Sequence, residues 1–109
     1  MIDWARVSEL REEIGAEDFD DVVDIFLEEV EDTIAQLKTS APDDYESLLH
    51  FLKGSALNLG FVEFSNLCQR GEFLSAGGKG PEVDVGEVIA SFNASKDQFM
   101  TQLKKRFAA

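Results

Sequence analysis

Apolar residues return at intervals of three and four along almost the whole chain, the spacing that builds one buried face on a helix. Trp4, Val7, Leu10 and Ile14 follow Asp3, a good N-cap, and stop at Gly15, which predicts a short helix from Trp4 to about Ile14. A long stripe of Phe19, Val22, Val23, Phe26, Val30, Ile34 and Leu37 predicts a helix from about Asp18 to Thr39. Its opposite side carries Asp20, Asp21, Asp24, Glu28, Glu31 and Asp32 and reads as a solvated face. Ser40-Ala41-Pro42-Asp43 combines a capping residue, an early proline and an acid, and announces the next helix. That helix ends near Gly60, with Leu48, Leu49, Leu52, Ala56 and Leu59 directed to a core.

From Phe61 to about Ala76 a fourth helix is expected, with Phe64, Leu67, Cys68, Phe73 and Leu74 inward. Gly77-Gly78-Lys79-Gly80-Pro81 breaks the pattern and reads as a flexible linker. It is no phosphate loop. A Walker sequence needs glycine five before the Gly-Lys pair and Ser or Thr after it, where this chain has Phe73 and Gly80. Asp84 with Glu87 forms a capping box for the last helix. Val85, Val88, Ile89, Phe92, Phe99, Leu103 and Phe107 continue its stripe, and Lys104, Lys105 and Arg106 suit its negative end. No stretch alternates with period two and no internal repeat is visible. The fold class expected is all-α, an up-and-down four-helix bundle with a short additional N-terminal helix.

Composition narrows the functions open to such a bundle. At 109 residues the chain is expected to be one domain, 1–109, too small for a kinase joined to a carrier, so no ATP site is expected. A net charge of −12 repels phosphate backbones and anionic membranes, which argues against nucleic acid or a membrane as partner. The start Met1-Ile2-Asp3-Trp4 has no basic or apolar signal segment, and no run approaches about 18 apolar residues. One cysteine, Cys68, forbids an internal disulfide and fits a reducing compartment, so the cytoplasm is expected. Cys68 itself reads as a small core residue. The short ends and Met1 suggest a free-standing protein, and a monomer is expected.

The one histidine, His50, falls on the side of its helix away from the core stripe and should face water. Its neighbours one turn on are Lys53 and Gly54. Glycine inside a helix costs about 1 kcal/mol against alanine, so Gly54 asks for a reason, and room for another macromolecule beside the imidazole is one. Leu57 and Phe61 extend the outward surface with Phe51 at its flank, a second apolar strip that implies a second contact.

His50, Lys53-Gly54-Ser55 and Gly60, followed by Cys68 and Glu72, resemble the phosphorylation helix of the histidine-containing phosphotransfer (HPt) domain family. Two positions depart from the family pattern: Ala56 replaces a second serine, and Gly71 replaces a large apolar residue before the acid. The resemblance implies a phosphoryl carrier, not an enzyme with its own kinase activity. It would shuttle phosphoryl groups between aspartates of response-regulator receiver domains or a hybrid sensor histidine kinase, which contribute Mg²⁺ and a lysine of their own. It implies His50 as phospho-acceptor, generally through Nε2, Lys53 steadying the phosphate and Gly54 permitting close approach. Phe51, Leu57 and Phe61 would form the docking surface, with Glu72 at its rim. No cofactor or metal is expected.

Imidazole chemistry agrees with that role, since a largely neutral nitrogen nucleophile is available near pH 7. An exposed lysine offsets phosphate charge by about 1 kcal/mol or less. A phosphate-independent HPt-like interaction module is the alternative of another class. A di-iron bundle needs Glu-x-x-His pairs, and Ser47 stands three before the single histidine. Ser55 lies five residues from His50 and on another face, which disfavours a hydrolytic pair.

Overall fold

The computed structural model describes residues 2–107. Met1, Ala108 and Ala109, part of the expected 1–109 domain, lie outside the described residues. Five α-helices follow in order: α1 (Trp4–Ile14), α2 (Phe19–Thr39), α3 (Tyr45–Leu59), α4 (Val62–Ala76) and α5 (Val85–Arg106). Single 3₁₀ turns at Pro42–Asp44 and Gly80–Glu82 precede α3 and α5. Consecutive long helices neighbour each other and α5 closes back on α2, which gives the expected helical bundle, drawn out to 48 × 21 × 19 Å.

Helix limits follow from local chemistry. The Asp3 carboxylate accepts from the Arg6 backbone N–H, and Asp84 does the same for Glu87, so α1 and α5 begin where a side chain satisfies an otherwise unpaired donor. Ser40 acts differently from expectation. Its hydroxyl donates back to the Gln36 carbonyl and closes α2, while Pro42 opens a separate 3₁₀ turn. The Gly77–Pro81 stretch is also less free than its composition suggests, because Gly80 is buried against Pro42 and the two 3₁₀ turns pack together.

Phenylalanines fill the centre. Phe61 meets Phe99 at 5.5 Å and Phe92 at 6.2 Å, and Phe64 meets Phe92 at 5.4 Å, in tilted and edge-on arrangements. Against them lie Leu49, Leu52, Ala56 and Leu59 of α3. Leu27 and Thr33 join the buried side of α2, leaving Val22 and Phe26 at its half-buried edge. At one end α1 forms a lid: Trp4 stacks on Phe99 at 5.7 Å and donates from Nε1 to Gln102 at 2.8 Å, while Arg106 covers its ring at 4.6 Å.

Two expectations for α4 are corrected. Phe61, expected on the docking surface, is only 1 % exposed, and Phe73, expected in the core, is 79 % exposed. The reason is packing between helices. The side of α4 turned toward α3 carries the small residues Ser65, Cys68 and Gly71, all buried, which lets the two backbones approach. A Cβ on Gly71 would meet Leu49 Cδ1 at 2.8 Å. With that phase fixed, Phe73 points away.

The α3–α4 turn depends on Gly60, whose φ of 73° places it in the left-handed region. Its carbonyl accepts from the Asp3 N–H at 2.7 Å, and a Cβ there would meet the Asp3 carbonyl oxygen at 2.6 Å. Gly54 is the opposite case: nothing lies within 4 Å of its Cβ position. Gly60→Ala should therefore lower the unfolding free energy by about 2 kcal/mol. Gly54→Ala should raise it by about 0.5–1 kcal/mol, both read from urea titration midpoints.

Candidate functional site

Helix α3 presents His50 to solvent, its side chain 70 % exposed, while Leu49 and Leu52 on either side of it are fully buried. Rigid anchoring thus sits directly beside an open imidazole. From α4, Glu72 reaches across: its Oε2 lies 2.6 Å from His50 Nδ1, and its Oε1 accepts from Lys53 Nζ at 2.6 Å. One carboxylate therefore ties two α3 side chains a single turn apart. Glu72 is only 18 % exposed, so the carboxylate side of both bonds is shielded while the His50 ring stays open.

The electrostatics fix the chemistry of the ring. The Lys53 hydrogen bond, opposed by burial and helped by the His50 bond, holds the Glu72 carboxyl below the usual carboxylate range. Glu72 is then an anion near neutrality, able only to accept. Nδ1 must carry the hydrogen of that bond, so in the neutral form of the ring the lone pair is on Nε2. Gly54, one turn along α3, has nothing within 4 Å of its Cβ position.

Cys68 lies one turn before Glu72 and is fully buried. Burial, and next the Glu72 charge, push its thiol up to about 12, so it is a neutral core group. Among the described residues no three His, Cys, Asp or Glu side chains are grouped to hold a metal ion. The 190 Å³ cavity between α4 and α5, lined by Leu67, Arg70 and Val83 among others, includes neither His50 nor Lys53. His50 stands on an outer ridge, suited to a macromolecular partner rather than an enclosed small molecule.

Exposed apolar side chains occur on both α3 and α4. Phe51 and Leu57 are 41 % and 57 % exposed, as the sequence suggested. On α4 the exposed apolar residues are Val62 and Phe73, eleven residues apart and so within about 20° on the helix. Neither was anticipated. Glu72 was placed at the rim, yet it is the centre of the polar cluster. Its position was recoverable: His50 lies ten residues before Gly60 and Glu72 twelve after, nearly level in an antiparallel hairpin.

The family model for the Hpt domain matches residues 21–106. The chain belongs to the Hpt domain family. Within this Hpt domain, α2 to α5 correspond to the matched region and α1 precedes it. The chain is similar to the phosphorelay intermediate protein YPD1 of Candida albicans, 37 % identical over 78 residues. The match covers 64 % of this chain and 41 % of that protein, so the Hpt domain spans less than half of its relative's length. No solved structure matches the chain.

Two consequences of the site chemistry are measurable. A carboxyl lowered in the fold stabilises it above the ordinary carboxylate range, and that contribution is lost as pH falls through the lowered value. Glu72→Gln should accordingly be less stable than the parent at pH 7, with the gap closing under acid, as followed by denaturant titration at both pH values. The Cys68 thiol should resist Ellman's reagent at pH 8 in the native protein and react fully in guanidinium.

Proposed function

We propose that this Hpt domain is a phosphoryl carrier in a phosphorelay. His50 accepts a phosphoryl group from a receiver-domain aspartate and passes it to another receiver. The observation that carries this reading is the Nδ1 bond to Glu72, which leaves a nucleophilic Nε2 on a ring 70 % exposed. The Nε2 lone pair attacks phosphorus, the aspartyl P–O bond breaks, and the carboxylate departs with that bond's electrons. Transfer onward is the reverse sequence with a different aspartate.

The domain's own part is placement. Lys53 can offset phosphate charge once it leaves Glu72, and Gly54 admits the partner's backbone. Phe51, Leu57, Val62 and Phe73 supply the docking surface, with Val62 and Phe73 replacing the buried Phe61. Such a domain needs no ATP site, because the reacting phosphoryl group arrives on its partner. The wider setting is proposed with it: a single domain over 1–109, monomeric, in the cytoplasm, serving receivers or a hybrid sensor kinase. Among the described residues no helix is long and apolar enough to cross a membrane.

Incubation with a phosphorylated receiver should place acid-labile, base-stable label on this chain. His50→Gln should keep the helical fold and carry no label; label on that variant would assign the acceptor elsewhere. Gly54→Gln should fold normally and transfer at least about tenfold more slowly by crowding the approach, while Phe73→Ala should weaken receiver binding by about five- to tenfold. Receiver binding without label, across several receivers, would favour a phosphate-independent interaction module.

A further inference from the structure

Attaching phosphorus to Nε2 changes the ring's charge as well as its substitution. If Nδ1 keeps its hydrogen, the product is an N-phosphoimidazolium; if it loses the hydrogen, the product is a neutral phosphoimidazole. The two are unequal donors. Breaking the P–N bond of the first releases neutral imidazole, whereas the second must release an imidazolide anion, a much poorer leaving group. One proton therefore decides how readily the phosphoryl group departs.

We propose that Glu72 is a positioning residue that retains the Nδ1 proton on the phosphorylated His50 ring and so keeps the P–N bond ready for transfer at and above neutral pH. The inference rests on the carrier reading of His50. Its basis is geometric: the carboxylate lies 2.6 Å from Nδ1, is largely shielded from water, and is held by Lys53 through its other oxygen. An anion fixed there favours a positive ring over a neutral one.

On α3, Glu46 lies one turn before His50 and is exposed, with no bond to the ring. Lys53 of α3 opposes retention of the proton, since a cation on the same carboxylate weakens the pull on Nδ1. Cys68, one turn earlier on α4, is buried and presents a neutral thiol. Among the described residues, no charged side chain of α1, α2 or α5 bonds to His50 or Glu72. When Lys53 turns toward a dianionic phosphoryl group it releases Glu72 Oε1, and the carboxylate's charge then acts on the ring alone. Phosphorylation thus strengthens the hold on the proton.

Phosphoramidate serves as the probe donor: Nε2 attacks phosphorus, the P–N bond of the reagent breaks, and ammonia leaves. Purified labelled protein, Glu72→Gln and Lys53→Gln are then followed from pH 5 to pH 9 by hydrolysis half-life and by the ³¹P shift of the phosphohistidine. At pH 5 all three should lose label at similar rates. At pH 8 Glu72→Gln should hold its label about three- to tenfold longer, with the ³¹P titration moved to lower pH, and Lys53→Gln should move it the other way. Label with superimposable pH profiles, or a half-life ratio constant from acid to alkali, overturns the inference and leaves the carrier reading standing. Absence of label on His50 of the parent protein, with phosphoramidate and with phosphorylated receivers, overturns the carrier reading and this inference with it.

Discussion

The close approach of α3 to α4 is the constraint on which the rest of the molecule depends. Ala56 on one helix and Ser65, Cys68 and Gly71 on the other keep bulk out of the seam, and Leu49 fills the space a side chain at 71 would occupy. That spacing lets a short acidic side chain on α4 bond two α3 residues at 2.6 Å each. A wider seam would leave Glu72 in water, where a shared ion pair contributes little. Packing and site chemistry are therefore one feature: Gly71, which keeps the seam narrow, adjoins the residue that bonds the histidine.

Rigidity and access are reconciled by dividing the faces of a single helix. Buried leucines hold α3 against the phenylalanine core, while its outer side carries an exposed imidazole, an open glycine and exposed apolar residues. Gly54 meets no steric demand of the fold, in contrast to Gly60, whose left-handed backbone and contact with Asp3 exclude a side chain. An avoidable glycine in a helix interior costs the fold the stability that alanine would supply there.

The electrostatic arrangement also separates two roles that composition alone would merge. Most of the acidity behind the −12 charge is spread over exposed faces such as that of α2, where it acts on solvation and repels other anions. Glu72 is largely enclosed and bonded, so its single charge sets the tautomer of the only histidine. Position, rather than the number of acids, gives it chemical consequence.

Periodicity and capping chemistry in the sequence determined five helices, the start of α1 at its Asp3 cap, the turn at Gly60 and the outward direction of His50, because each follows from neighbours within one or two turns. The rotation of α4 was decided only in three dimensions. Its N-cap Phe61 and its large apolar residues Phe64, Leu67, Phe73 and Leu74 exceed what one stripe can bury, and contact with Phe92 and Phe99 on one side and Leu49 on the other selected which went inside. The same selection exposed Phe73 and brought Glu72 onto the ring. Local spacing fixes the faces a helix can offer, and the partner helix, distant in sequence, fixes which of them it uses.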